Sequence, residues 1–510
     1  MEVGNKFFHI IKQQYSETIS AVKYQNLHSE YFSTSRGVKQ GDSLSPTLFN
    51  LFINDIDKEF MNRENHPLEL INSKVGCLLF ADDLLILSES KEGLQNSINN
   101  LSKYCYNWQL TINVKKTKTM IFQRVDSKHE KSIATYETEN LTNVSEYTFL
   151  GIQVKSNGDL KHSSEELVNK AKKVLFAIKS YAGSMNNMPI KVACSLFDTM
   201  VKPIATYNSE VTYMDTYISL FRAKQRANLS GKEIDYLYFS DKSCIEKIHL
   251  SFCKYILGTK KTSSNFAVRT ELARYPLEMQ IKIQSLLLLV RLLNSTVNPI
   301  LHESFLLAKS LDSEGCYTWF TYVKNIAMEA KIELTQLHGH KNKTQLVSIK
   351  KELKLQFLNF YKSVYNQKLE KIDNSSKLYF YKTIKQNLEK ECYLDSQNFE
   401  KRRNITKLRI SDHNLLIEKG RYLKIPRENR LCLQCNLIED EKHFLLYCTK
   451  NINVRNIFIE KIMAKEHIFN FNYLSEIEKM KIVLSPSTPQ QVENAGSYIK
   501  QLLELRTGDS

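Results

Sequence analysis

Glycine and proline are scarce in this chain, 15 and 9 among 510 residues. That excludes a collagen-like or loop-rich protein and favours a helix-heavy one. Long hydrophobic runs are missing too. The longest aliphatic run, Leu286–Val290, is too short to cross a bilayer, so no membrane partner is expected. No charged-then-apolar signal opens the sequence, because His9 and Lys12 interrupt Phe7, Phe8, Ile10 and Ile11. The reading is an intracellular protein, nuclear or cytoplasmic. Acidic residues fall short of basic ones, 55 against 71, for a net charge of +16 that points to a polyanionic partner. Regular cysteine spacing is also lacking. Seven of the ten cysteines are scattered singly and read as small buried hydrophobes, which excludes a disulfide framework.

What is present suits a soluble globular chain, with 42% apolar and 25% charged residues and length enough for two to four domains. Apolar spacing predicts a helix over 7–15, paired strands up to residue 35 and a helix over 43–61 with Leu44, Leu48, Phe52, Ile56 and Phe60 on one stripe. A buried hairpin is expected over 75–87. A helix carrying Leu94, Ile98, Leu101, Cys105 and Trp108 follows, then a strand over 111–122. This order implies a sheet covered on one face by helices, an α+β unit. Polar residues 124–145 then precede a short strand over 147–154. Ser163 and Glu166 suggest a capping box opening a helix, and the pattern stays mostly helical to about 425.

Two places carry chemistry. Phe80-Ala81-Asp82-Asp83 sets adjacent carboxylates inside an apolar hairpin, where they repel and resist burial. Either an exposed two-residue turn or a divalent cation relieves that cost. Upstream, Arg36-Gly37-Val38-Lys39-Gln40-Gly41-Asp42-Ser43-Leu44-Ser45-Pro46 joins a strand to a helix. Gly37 and Gly41 permit close backbone approach, Gln40 can hydrogen-bond, and Pro46 fits a first helical turn. Such a loop suits contact with a nucleotide or template strand. The second place is Cys432-x2-Cys435-x7-His443-x4-Cys448. Its spacing is that of a closed, structural zinc site, the alternative being chance cysteines in a helical hairpin.

These motifs resemble the reverse transcriptases of non-LTR (LINE-type) retrotransposons, especially the jockey-like group. Arg36–Pro46 looks like motif B, which implies template and nucleotide contact by Arg36, Gly37, Gln40 and Gly41. Phe80–Asp83 looks like motif C, which implies Mg²⁺ on Asp82 and Asp83. Asn113–Lys118 resembles motif D, with Lys116 the best match for the lysine that assists pyrophosphate departure and Lys118 its rival. Tyr147–Ile152 resembles motif E, which implies a primer grip at Phe149, Leu150 and Gly151. Leu257–Lys261 and Arg274–Leu277 resemble the region beyond the thumb, and Ile417–Arg427 with Glu439–Cys448 the family's zinc-binding C-terminal segment.

The resemblance implies an α+β fold: a palm of antiparallel sheet with helices on one face, then a mostly helical thumb and C-terminal region with a small zinc segment. It divides the chain into a partial palm (1–123), a linker and primer-grip strand (124–160), a thumb-like region (161–260), a helical region (261–425), the zinc segment (426–465) and a charged tail (466–510). RNA template and DNA primer are the implied partners, and Mg²⁺ and Zn²⁺ the implied ions. The family's motif A aspartate lies upstream of a segment like Met1–Tyr15, and the only acid near the start is Glu2, so the expectation is an N-terminally truncated polymerase that is inactive alone. Two alternatives stand beside it. One is a non-catalytic RNA- or DNA-binding remnant using Lys260-Lys261 and Lys401-Arg402-Arg403. The other is a non-functional fragment exposing a sheet edge.

Overall fold

The computed structural model describes residues 4–34, 36–123, 133–181, 188–226, 238–294, 298–337, 342–385, 387–466 and 471–507. Glu2 and part of the polar stretch 124–145 lie outside them. The chain folds as two compact units. The first comprises residues up to Thr119 together with a return segment ending at Asn143; the second runs from Val144 to the C-terminal end and includes Met120–Gln123.

The first unit begins with the helix Asn5–Tyr15, as its apolar spacing predicts, followed by the strand pairs Ile19–Ser20 with Phe32–Ser33 and Lys23–Tyr24 with Leu27–His28. The stripe expected as one helix over 43–61 divides. An α-helix over Ser45–Phe52 stops, and a 3-10 turn takes over at Ile56–Phe60. Asp55 sits at the break, its carboxylate accepting the Tyr104 hydroxyl at 2.8 Å; such short polar side chains favour breaks over helix interiors. Ser90 caps the long helix Lys91–Trp108 by accepting the Gly93 N–H. That helix lays Leu101, Tyr104 and Cys105 on Ile56 and Phe60, with Cys77, Leu84 and Ile86 of the acidic hairpin against the same cluster.

Three sequence expectations about strands fail in this unit. No continuous sheet forms among the described residues: every strand belongs to a two-stranded pairing, and one of these, Lys118–Thr119 with Thr142–Asn143, is parallel. The strand expected over 111–122 shrinks to those two residues because Asn113 accepts the N–H groups of Lys116 and Thr117 in a turn. The hairpin Cys77–Phe80 with Asp83–Ile86 is not buried either. Leu78 and Leu79, on opposite faces, are each 40% exposed and Phe80 63%, so the hairpin is open on both faces toward its tip, and only Cys77, Leu84 and Ile86 pack against the core cluster.

The second unit opens with a second hairpin, Glu146–Phe149 with Ile152–Lys155, where a single strand was expected. The next helix, Lys161–Tyr181, starts before Ser163. Ser163 is therefore no N-cap, and its hydroxyl accepts the Gln153 N–H while Asp159 accepts that of Lys161. From there the unit is helical around one large core that includes Phe197, Phe252, Leu286, Phe357 and Leu408. The helix Lys343–Glu370 turns one stripe inward, with Ile349, Leu353 and Phe357 buried and Leu346 and Phe360 half-buried.

Residues 466–510 are not a solvated tail. The helices Glu476–Leu484 and Pro489–Thr507 bury Val483, Leu484, Val492, Tyr498, Ile499 and Leu502. Apolar positions at helical spacing within that charged stretch supply the buried face. Among the described residues no helix is long and apolar enough to cross a membrane.

Candidate functional sites: the acidic hairpin and a Cys/His cluster

Phe80 pairs with Asp83, so Ala81 and Asp82 form the two-residue turn. Ala81 adopts φ 53°, a left-handed conformation that an alanine enters only with strain. Both carboxylates are exposed at this tip. The turn seats them in water at little cost and presents them side by side to whatever approaches. Behind them Gly76 passes so close to Phe60 that a Cβ there would lie 2.5 Å from the Phe60 carbonyl oxygen.

The loop Arg36–Pro46 has Gly37 at φ 82° and Gly41 at φ 90°, conformations that suit glycine. Asp42 accepts from Tyr15 Oη at 3.2 Å and from the Leu44 N–H, and the Lys39 ammonium donates to the Gln14 carbonyl. Asp42 thus fastens the loop to the first helix. Arg36, Gly37, Gln40 and Gly41 are exposed, and no hydrogen bond joins them to the hairpin among the described residues. Lys116 is exposed in the Asn113 turn, whereas Lys118 is half-buried in a strand with Nζ 3.4 Å from Thr142 Oγ1.

Phe149, Leu150 and Gly151 belong to the second unit. Leu150 (φ 49°) and Gly151 (φ 81°) are the turn of its hairpin, as a tight two-residue turn with primed geometry requires. Tyr207 donates its hydroxyl to the Leu150 carbonyl at 3.2 Å. Sequence reasoning missed this tyrosine, since nothing marks a contact across 57 positions.

The four residues Cys432, Cys435, His443 and Cys448 converge, their donor atoms all within 4.8 Å of one another. Cys432 Sγ and Cys435 Sγ lie 3.9 and 4.0 Å from Cys448 Sγ. A tetrahedral ion with Zn–S bonds of ~2.3 Å has S···S edges of about 3.8 Å. His443 Nε2 is buried without a hydrogen-bond partner, an orphan of the kind a metal satisfies. The donor set therefore fits a tetrahedral Zn²⁺.

Local folding explains the spacing. Cys432 accepts from the Asn436 N–H with Asn436 left-handed, which closes the first pair into a tight turn. The x4 gap spans a π-helical turn, His443–Tyr447, in which the Cys448 N–H reaches the His443 carbonyl at 2.8 Å. Asp440 accepts the His443 N–H, and Thr449 donates its N–H to Cys435 Sγ at 3.3 Å. Burial pushes the Cys435 thiol up, but the Thr449 hydrogen bonds outweigh it and hold it below the ordinary thiol range. Burial likewise favours the neutral His443 ring, the form that ligates. Thr449 escaped the sequence reading, and Asp440 entered it only as part of the segment Glu439–Cys448.

In three other motifs one residue each serves packing: Arg274, Gly258 and Arg402. Arg274 grips Asp198 with two hydrogen bonds of 2.7 and 3.2 Å and donates Nε to His249 Nε2 at 2.8 Å. Accepting there leaves the His249 ring proton on Nδ1, facing Glu246 at 2.8 Å. Gly258 (φ 65°) ends the helix Cys244–Leu257. Arg402, expected on a basic surface, is buried and donates to the carbonyls of Ser396 and Met188.

Comparison with known proteins now bears on these sites. Residues 2–154 match the family Reverse transcriptase (RNA-dependent DNA polymerase), a segment that holds both the glycine loop and the Asp82–Asp83 hairpin. The match thus spans the first unit and runs into the hairpin that opens the second. Over 135 residues the chain is 29% identical to the Pol polyprotein of a type-1 R2 retrotransposable element from Nasonia vitripennis, covering 25% of this chain and 13% of that one. Over 150 residues it is 31% identical to the type-2 R2DM polyprotein of Drosophila melanogaster, covering 27% and 14%. Over 238 residues it is 21% identical to the RNA-directed DNA polymerase of the mobile element jockey from Drosophila funebris, covering 44% and 25%. The domain is of the non-LTR retrotransposon kind. The chain spans no more than a quarter of the length of these relatives.

Proposed function

We propose that the chain is the palm and thumb of an RNA-directed DNA polymerase, with Asp82 and Asp83 as the metal-holding carboxylates of nucleotidyl transfer. One observation carries this reading: two adjacent aspartates stand exposed at the tip of an antiparallel hairpin inside the segment that matches the reverse transcriptase family. The donors suit Mg²⁺, being hard oxygen ligands open to solvent. Divalent ions held there supply charge compensation at the reacting phosphates. In a complete site exposed Lys116 would give a proton to the departing pyrophosphate, with Lys118 its rival. Arg36, Gly37, Gln40 and Gly41 hold template and nucleotide, and Phe149, Leu150 and Gly151 hold the primer. Cys432, Cys435, His443 and Cys448 bind a structural Zn²⁺ with no open position for substrate.

The described residues bring no third Asp, Glu, His or Cys ligand to Asp82 and Asp83. This 510-residue polypeptide by itself therefore binds an RNA template with its DNA primer and does not extend the primer. Loss of one metal-bridging group removes charge stabilisation on the order of 10³-fold in rate. Primer extension with Mg²⁺ and deoxynucleoside triphosphates tests this. The expected result is template binding with extension no greater than that of the Asp82→Ala, Asp83→Ala variant. Extension that the variant loses refutes the inactivity, and absence of template binding refutes the polymerase reading.

A further inference from the structure

Two basic motifs far apart in sequence meet in the second unit. The helix Cys244–Leu257 ends at Gly258, and Lys260 and Lys261 follow, both exposed. Against this end lies the helix Phe399–Arg409, whose Arg403 donates Nε to the Gly258 carbonyl at 3.0 Å. A Cβ on Gly258 would fall 2.8 Å from Phe399 and 3.0 Å from Arg403, so the glycine is what lets the two segments touch. Arg403 and Lys407, four apart on one helical face, are like-charge neighbours, an arrangement that destabilises a helix unless something offsets it.

Lys254 joins them, its ammonium anchored on the Lys261 carbonyl at 2.8 Å. Of the acids nearby, buried Asp412 sits among these cations and offsets them in part, while Glu400 pairs outside them. Asp412 accepts the backbone N–H of Lys260 at 2.8 Å, and Glu400 pairs with Lys500 at 2.9 Å. Burial first, then the positive charge of Arg403 and Lys260, pulls the Lys407 ammonium below its usual range, with Asp412 opposing. Cations crowded in this way are relieved by a polyanion.

We infer that Lys254, Lys260, Lys261, Arg403 and Lys407 form a binding surface for the sugar–phosphate backbone of a nucleic acid. The surface lies in the second unit, beyond the segment that matches the polymerase family. The inference rests on the nucleic-acid-binding reading above and names one place where the backbone is held. Arg403 offers a planar guanidinium for bidentate phosphate contact, and the lysines act as point charges beside it.

The test measures binding of fluorescein-labelled single-stranded RNA, and of duplex DNA of the same sequence, to the full chain by anisotropy across a salt series. The first variant is Lys260→Gln, Arg403→Gln, Lys407→Gln. A second, Lys260→Glu with Lys261→Glu, leaves the packed helix intact. The control removes the same charge as the first variant from the helix Lys343–Glu370 by Lys350→Gln, Lys351→Gln, Lys354→Gln, all exposed. Loss of about three phosphate contacts lowers the slope of log affinity against log salt by about 2 for single-stranded RNA. Both site variants are expected to bind at least about tenfold more weakly at low salt, and the control to stay near wild type. Loss on only one of the two nucleic acids identifies which backbone the surface holds. Equal loss in control and site variants overturns the inference, because net charge alone then explains binding. Loss of binding to phosphatidylserine vesicles with RNA and DNA binding retained overturns it too, in favour of a membrane. A wild-type chain that binds neither nucleic acid overturns the polymerase reading as well.

Discussion

Arg409 and Glu271 form a two-point ion pair in the interior of the second unit, Nε and Nη2 each 3.0 Å from a carboxylate oxygen, with both side chains wholly buried. Tyr393 adds its hydroxyl to the same carboxylate, and Arg409 Nη1 reaches the Leu484 carbonyl at 2.7 Å. One guanidinium thus ties the helices Asn265–Glu271 and Phe399–Arg409 to the C-terminal end of Glu476–Leu484.

Arg409→Leu is expected to destabilise the protein by about 3–5 kcal/mol, because Glu271 is left charged and buried. Burial pushes Glu271 up, and Arg409 more than offsets it and holds the carboxyl below its ordinary value near 4.5. The folded pKa is depressed, so this stabilisation is present above about pH 4.5 and is lost as pH falls through the folded value. Urea unfolding should show the largest gap between wild type and variant at neutral pH and a smaller one in acid. A gap independent of pH contradicts the assignment.

For the Cys/His cluster the expectation is one zinc per chain by elemental analysis. Cys448→Ser or chelation should release it and lower the melting temperature. The Glu439–Arg506 pair, at 2.7 and 2.9 Å, fixes the C-terminal helix to this segment. Metal loss should therefore raise protease sensitivity in Pro489–Thr507 as well. A metal-free protein with unchanged melting contradicts a structural role.

Gly76→Ala should cost at least about 1–3 kcal/mol, since the new methyl meets the rigid Phe60 backbone. The damage lies directly beneath the acidic hairpin. Hydrogen exchange of Cys77–Ile86 should accelerate in this variant while the helix Cys244–Leu257 stays unchanged.

Arg274→Lys keeps the charge and loses the fork that holds Asp198 and His249 together. Thermal unfolding should drop by several degrees, on the order of 1–2 kcal/mol. A neutral result would mean that the Asp198 end, which is 35% exposed, contributes nothing measurable.

Much of this was legible in the sequence because local signals sufficed. Asp82 and Asp83 announce a turn by sitting between two apolar runs, and Cys432 to Cys448 carries its geometry in its spacing. The helix Lys91–Trp108 follows from its apolar stripe. What failed has both local and distant causes. The strand over 111–122 yields to the Asn113 turn. Ser163 looked like a cap until Gln153 claimed its hydroxyl. Arg402 looked exposed in a charged run, but its place on the helix turns it toward Met188 and Ser396. The charged tail hid a buried face because its apolar residues are spread among polar ones at helical spacing.

The central claim, that Asp82 and Asp83 hold a divalent cation at the hairpin tip, is tested most directly by iron-directed cleavage. Fe²⁺ takes the place of Mg²⁺ in the presence of primer and RNA template, and ascorbate with peroxide generates radicals at the bound ion. Scission is predicted at the Ala81–Asp82 turn and in its flanking strands, suppressed by excess Mg²⁺ and absent in the Asp82→Asn, Asp83→Asn variant. Equal scission in wild type and variant, or none near residues 77–86, would contradict it.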